Sequence, residues 1–188
     1  MSDILSIAQA ADVFPHIIVQ TDHGPFSLPL LMVAIGGPES GGYNARAQGD
    51  PSSEFGGPEC GGYTSWGWLQ IHNSHAAYLA QQTDSFDPCA WASWLYVPTN
   101  CAKAALALLD LQDPWSSIKN AWYNTVVSGA WLAYLPQAES AMASLNASPS
   151  PAILQAAPIA AGLLIFGFLA VGSVLVAVGE IEGWNLVK

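Results

Sequence analysis

Basic side chains are nearly missing from this chain: its 188 residues hold four Lys and Arg against 14 Asp and Glu, a net charge of -10. That balance excludes nucleic-acid binding, which needs a basic surface to displace counterions from phosphates. Neither a GxxxxGK(S/T) loop nor GxGxxG occurs, so nucleotide chemistry has no support. Charged residues make up only 10% of the chain, but 52% is apolar, and this excludes disorder for most of it. Strand-like alternation is scarce, with Tyr63–Ile71 the one stretch suited to short β structure. The first 14 residues, MSDILSIAQAADVF, lack a basic region ahead of an apolar run. They read as an amphipathic helix with Ile4, Leu5, Ala8 and Ala11 at helical spacing, not as a secretory signal. Only three cysteines are present, so any disulfide leaves one over. Cys89 and Cys101, at the starts of consecutive predicted helices, are the favoured pair; Cys60 is the rival partner, and three reduced thiols are the alternative.

What is present divides the chain. Residues 1–150 carry 12 acids and three bases, while no Asp, Glu, Lys or Arg lies between Glu139 and Glu180. From Ile159 to Val178, 20 residues run without a charge, and Ser173 is the only polar side chain among them. As a helix that stretch would span about 30 Å, the hydrocarbon thickness of a bilayer. The expected organisation is a domain over 1–145, a small polar proline-bearing linker over 146–157, a transmembrane helix over 158–179 and a short tail over 180–188. A buried helix within a large assembly is the alternative for the apolar stretch.

Helix starts are well marked in the first domain. Ser27 precedes Leu28-Pro29 and an apolar run, while Asp87-Pro88 and Asp113-Pro114 each place a capping carboxylate before a proline suited to the first turn. Asn73 or Ser74, and Thr99 or Asn100, are further cap candidates. The expected fold class is all-α, six or seven short helices with at most a short β element, plus the C-terminal hydrophobic helix. Between Gly36 and Gly62, nine of the 17 glycines crowd into 27 residues together with Pro38, Pro51 and Pro58. This predicts a long loop, and long loops in compact domains are usually functional.

Glu39 ends the apolar run Leu28–Ile35 and precedes Ser40-Gly41-Gly42. A carboxyl partly desolvated at the end of a core helix keeps its proton toward neutral pH. That is the property glycosidic cleavage demands, because the departing oxygen must take a proton as the bond breaks. The order Ala34-Ile35, Glu39-Ser40-Gly41-Gly42, Asn44-x-x-Ala47, then Ser65-Trp66-Gly67-Trp68-Leu69-Gln70-Ile71 resembles the lysozyme-like superfamily, in particular lytic transglycosylases and phage-borne muralytic domains. Ala121-Trp122-Tyr123-Asn124 and the run Ser128–Leu135 resemble its closing helices, and the likeness covers roughly residues 15–140. Two departures stand out: Pro38 immediately before the acid, and a loop between Gly42 and Gly67 longer than in minimal members.

The resemblance implies a lysozyme-like fold and cleavage of the MurNAc–GlcNAc bond of peptidoglycan. By position, Glu39 matches the general acid. Ser40 would orient it or contact sugar, and Gly67 would let substrate approach the backbone. Gln70 would bond an N-acetyl group or support Glu39, and Tyr123 matches an aromatic that points at the acid. Trp66, Trp68, Tyr43 and Tyr63 would stack on sugar faces. A transglycosylase, the first expectation, needs only Glu39 and returns a 1,6-anhydro product. Hydrolysis, the second, needs another carboxylate, for which Asp50, Glu54 and Glu59 are candidates. No metal or other cofactor is expected: His72 and His75 are three apart but lack a third ligand at suitable spacing. The partners expected are peptidoglycan strands, membrane lipid and other virion proteins. A wall-degrading domain without a leader is reconciled with its substrate if a virion carries it to the host wall, in an internal membrane or a genome-delivery conduit. A catalytically inactive virion scaffold and a cellular membrane-anchored wall-remodelling enzyme are the alternatives.

Overall fold

The computed structural model describes residues 3–51 and 62–147. The chain divides into units 1–150 and 151–188, and the description that follows is of the first. Among the described residues there are eight α-helices and five short strands. The helices are α1 (Asp3–Ala10), α2 (Leu28–Glu39), α3 (Ala76–Thr83), α4 (Pro88–Leu95), α5 (Pro98–Leu108), α6 (Pro114–Ala121), α7 (Tyr123–Val127) and α8 (Leu135–Ala147). Strands β1 (Ile18–Thr21) and β2 (Gly24–Ser27) form an antiparallel hairpin, and β3 (Gln48–Pro51), β4 (Tyr63–Trp66) and β5 (Ile71–His72) a second antiparallel sheet in that order.

The fold is therefore mixed helix and sheet, which corrects the all-α expectation. Strands β4 and β5 fall in the one stretch suited to β structure, but the 18–27 hairpin and β3 do not. Four-residue strands are too short for alternation to register, and the hairpin turns at Asp22-His23, with Gly24, at φ +111°, taking up the chain directly after it. No helix among the described residues is long and apolar enough to cross a membrane, and the span expected over 158–179 lies outside them.

Helix α2 is the centre of the core. It is buried from Leu28 through Gly37 apart from Leu30, so it is apolar nearly all round, as a helix enclosed on every side must be. It packs against α1, α8 and the 3₁₀ turn Ala130–Tyr134. The predicted loop from Gly36 onward is corrected here, because Gly36 and Gly37 are helical. A Cβ at Gly36 would overlap the Trp68 ring, and one at Gly37 the Tyr134 ring. Two helical glycines cost about 2 kcal/mol in propensity. Fully burying one indole returns about 4–6 kcal/mol as an upper bound, so packing wins.

Carboxylate caps hold the smaller helices. Asp87 accepts from the Cys89 N–H at 2.9 Å and starts α4, and Asp113 accepts from Ser116 N–H at 3.3 Å and starts α6. Neither Thr99 nor Asn100 caps α5, which begins at Pro98 with Val97 in the N-cap position; the Asn100 amide donates instead to Trp94 O at 3.2 Å. Ser27 stands at the N-cap position of α2 without a side-chain bond.

The candidate disulfide Cys89–Cys101 is not formed. Cys101 is a free, wholly buried thiol that burial pushes up to about 12. Cys89 is disulfide-bonded, and the rival partner Cys60 lies outside the described residues.

Candidate functional site

A cleft of about 490 Å³ opens where three parts of the fold meet. Its base is the end of α2, with Pro38 and Glu39; one wall is the three-stranded sheet, with Asp50, Gln70 and His72; the other is the α6–α7 junction from Asn120 to Thr125. The Trp122 indole N–H donates to Leu69 O at 2.8 Å and ties the two walls together. A larger hollow of about 600 Å³ lies between α1 and α8 and shares no lining residue with the cleft.

Glu39 is half-buried and accepts a hydrogen bond at Oε1 from the Thr125 hydroxyl. Three influences act on its carboxyl. Burial raises its pKa and is the largest; the Thr125 bond, which favours the ionised form, lowers it; the negative charge of Asp50 raises it again. The net direction is upward from 4.5, so the proton is held to higher pH. Pro38 does not displace the acid, because α2 continues through Glu39.

Asp50 is fixed from two directions. The Ser65 hydroxyl donates to its Oδ2 at 2.5 Å, and Thr64 Oγ1 donates to its backbone carbonyl at 2.9 Å. Its φ of +56° is a left-handed conformation that Asp tolerates better than most residues. Gln70, also left-handed at φ +50°, donates through Nε2 to Gly67 O at 2.8 Å, and its Oε1 sits close against Gly49. Its amide is thus committed within the β4–β5 turn, with no bond to Glu39. Tyr123 is exposed on the rim and lines the cleft.

Of the sequence-predicted site residues, the cleft brings together Glu39, Asp50, Gln70 and Tyr123. Several others are corrected. Trp66 and Trp68 are completely buried, and Trp68 Nε1 donates to Pro98 O at 3.0 Å, so both indoles are core rather than sugar platforms. Tyr43 is buried as well, with its hydroxyl donating to Tyr134 O at 3.2 Å. Ser40 is buried and faces backbone: its hydroxyl donates to Gly36 O at 2.6 Å and accepts from Asn44 N–H at 3.1 Å. Gly67, at φ +81°, makes room for Leu95 O and Cys101 Sγ, not for substrate. Glu54 and Glu59 lie outside the described residues.

Among the other lining residues, Thr125, Asn120, Asn124 and His72 bring polar side chains that the sequence does not mark for this site. Thr125 is 86 residues from Glu39 in sequence, so only folding reveals the pairing. His72 Nδ1 accepts from Ser74 N–H at 3.0 Å, a capping role that accounts for its place beside the 3₁₀ turn Asn73–His75. Burial, and then the neighbouring His72, lower the pKa of His75. Among the described residues, no group of three or more His, Cys, Asp and Glu stands together as a metal site.

A half-buried carboxyl whose pKa is raised and a hydrogen-bonded carboxylate lining one polar cleft form an arrangement able to donate a proton to a leaving oxygen and to hold a water or a developing positive charge nearby. No protein-family model, curated protein or solved structure matches the chain.

Proposed function

We propose that this protein cleaves the MurNAc–GlcNAc bond of peptidoglycan, with Glu39 as the general acid. The observation that carries the reading is the upward shift of Glu39 at the base of a polar cleft, caused by burial and by Asp50. Support also comes from the Glu39-Ser40-Gly41 and Gly67-x-x-Gln70-Ile71 pattern that resembles lytic transglycosylases and phage muralytic domains. In the transglycosylase form, Glu39 protonates the bridging oxygen. The carboxylate then takes the proton of the muramyl 6-hydroxyl as that oxygen closes on C1, giving a 1,6-anhydro end. Thr125 holds the carboxyl in place through both steps.

A second reading, hydrolysis, is favoured by one observation: Asp50 lines the same cleft and is oriented by Ser65. There it would position a water for attack on C1 or stabilise the oxocarbenium-like charge. The test is incubation of the full chain with purified murein, followed by mass spectrometry of the products. Anhydro-muropeptides establish the first reading, reducing ends heavier by one water the second, and no cleavage at all leaves an inactive scaffold.

Delivery by a phage particle is the setting in which this reading is coherent. A chain of net charge -10 is repelled by largely anionic wall polymers, which disfavours free diffusion to its substrate and favours being carried there.

A further inference from the structure

Helix α2 ends on Glu39 in a Schellman arrangement. The Gly41 N–H donates to Pro38 O at 3.2 Å and the Gly42 N–H to Gly37 O at 2.8 Å, with Gly41 left-handed at φ +64°. Such a motif ordinarily packs an apolar side chain just past the helix end onto one in the last turn. Here the two positions are Gly42 and Gly37, and neither supplies a side chain. The Tyr134 ring lies over Gly37 instead, and Tyr43 meets it edge-on, with ring centres 5.6 Å apart and planes at 79°. The Tyr43 hydroxyl completes the contact by donating to Tyr134 O at 3.2 Å.

Tyr43 occupies this place against its own backbone preference. Its φ of +67° is left-handed, a conformation that a bulky residue keeps only where its surroundings fix it. The contact with Tyr134 supplies that constraint. Burial, and then the neighbouring Tyr134, push the Tyr43 phenol up to about 12, so it keeps its proton to donate at neutral and acid pH.

Tyr134 closes the 3₁₀ turn that follows α7, and α7 carries Thr125, the donor to Glu39. Two ties therefore join the same two stretches of chain. One runs from Thr125 to Glu39 inside the cleft; the other runs from Tyr43 to Tyr134, neither of which lines it. We propose that Tyr43 is a positioning residue for Glu39: by tying the turn after α2 to Tyr134, it keeps the carboxyl within reach of the Thr125 hydroxyl. This deepens the reading of Glu39 as general acid and rests on it for its catalytic meaning.

The experiment follows Glu39 itself in the full chain, by NMR titration of the side-chain carboxyl carbons, its signal identified by its absence from E39Q. The variants are Tyr43→Phe, Thr125→Val and the two combined. Tyr43→Phe keeps the ring and its edge contact and removes only the hydroxyl tie. Asp50, His72 and Tyr123, the titratable side chains that line the cleft with Glu39 among the described residues, are the same in every variant. In Y43F the Thr125 bond weakens, and the Glu39 midpoint moves to higher pH, as in T125V, because that bond favours the ionised form. In the combined variant Y43F adds no further movement, since the bond through which it acts is already gone. On murein, kcat falls about ten-fold in Y43F while KM changes less than about two-fold. A midpoint unmoved in Y43F, whatever the melting temperature does, overturns the proposal. So does a movement of equal size with and without the Thr125 hydroxyl. Failure of the parent reading is separable: in that case the unaltered chain leaves murein uncut, while the Glu39 titration still decides whether Tyr43 positions it.

Discussion

Replacing Gly36 with alanine sets two physical effects against each other. On helix propensity alone, the change stabilises α2 by about 1 kcal/mol. The new methyl, however, would stand 2.7 Å from Trp68 Cζ3 and closer still to Cε3. Trp68 cannot swing aside, because it is fully buried and its indole N–H is held by Pro98 O. Overpacking against a fixed ring costs about 1–3 kcal/mol, and the absence of slack puts this site near the upper end. The net expectation is a loss of about 2 kcal/mol, or about 4–8 °C in Tm for a domain of this size. Because Trp68 sits in the turn between β4 and β5 that positions Gln70 and His72, kcat/KM on murein falls with it. Thermal denaturation of G36A is the assay. An unchanged or raised Tm would show that propensity outweighs packing here, and the account of why α2 carries glycines would be wrong.

Three further outcomes follow from the cleft. Thr125→Val removes the bond that favours ionised Glu39, so the alkaline limb of the kcat/KM profile moves to higher pH; Asp50→Asn removes a like charge and moves it to lower pH, and opposite movements would contradict the assignment. Trp122→Phe leaves Leu69 O without its indole donor, costing about 1–3 kcal/mol in a denaturant titration and raising KM as the walls loosen. Glu39 also links stability to pH. Since folding raises its pKa, the native state binds more protons between 4.5 and the folded value, and stability falls as pH rises through that window. Glu39→Gln abolishes this penalty, so its Tm advantage over the parent chain grows from pH 4 to pH 8; a constant difference would count against the burial.

How much of this was legible in the sequence depends on the range over which each feature is determined. Asp87-Pro88 and Asp113-Pro114 mark their helices because a cap and a first-turn proline act within four residues. Glu39 at the end of an apolar helix is legible for the same reason. Composition misled between Gly36 and Gly62, since the same glycines that permit loops also permit an indole to lie on a helix. Trp66 and Trp68 read as sugar platforms in the sequence because tryptophan suits both a core and a carbohydrate face, and nothing local says which side of the chain is inside. The bond from Thr125 to Glu39 and the alignment of Asp50 by Ser65 join elements far apart in sequence, so they exist only once the chain has folded.

The most direct test is the rate of glycan cleavage by Glu39→Gln, measured on purified murein strands beside a melting curve showing that the variant is folded. If the buried proton of Glu39 passes to the bridging oxygen, kcat/KM falls by about 10²–10⁴-fold. A folded variant that retains the parent rate within a few-fold would contradict it.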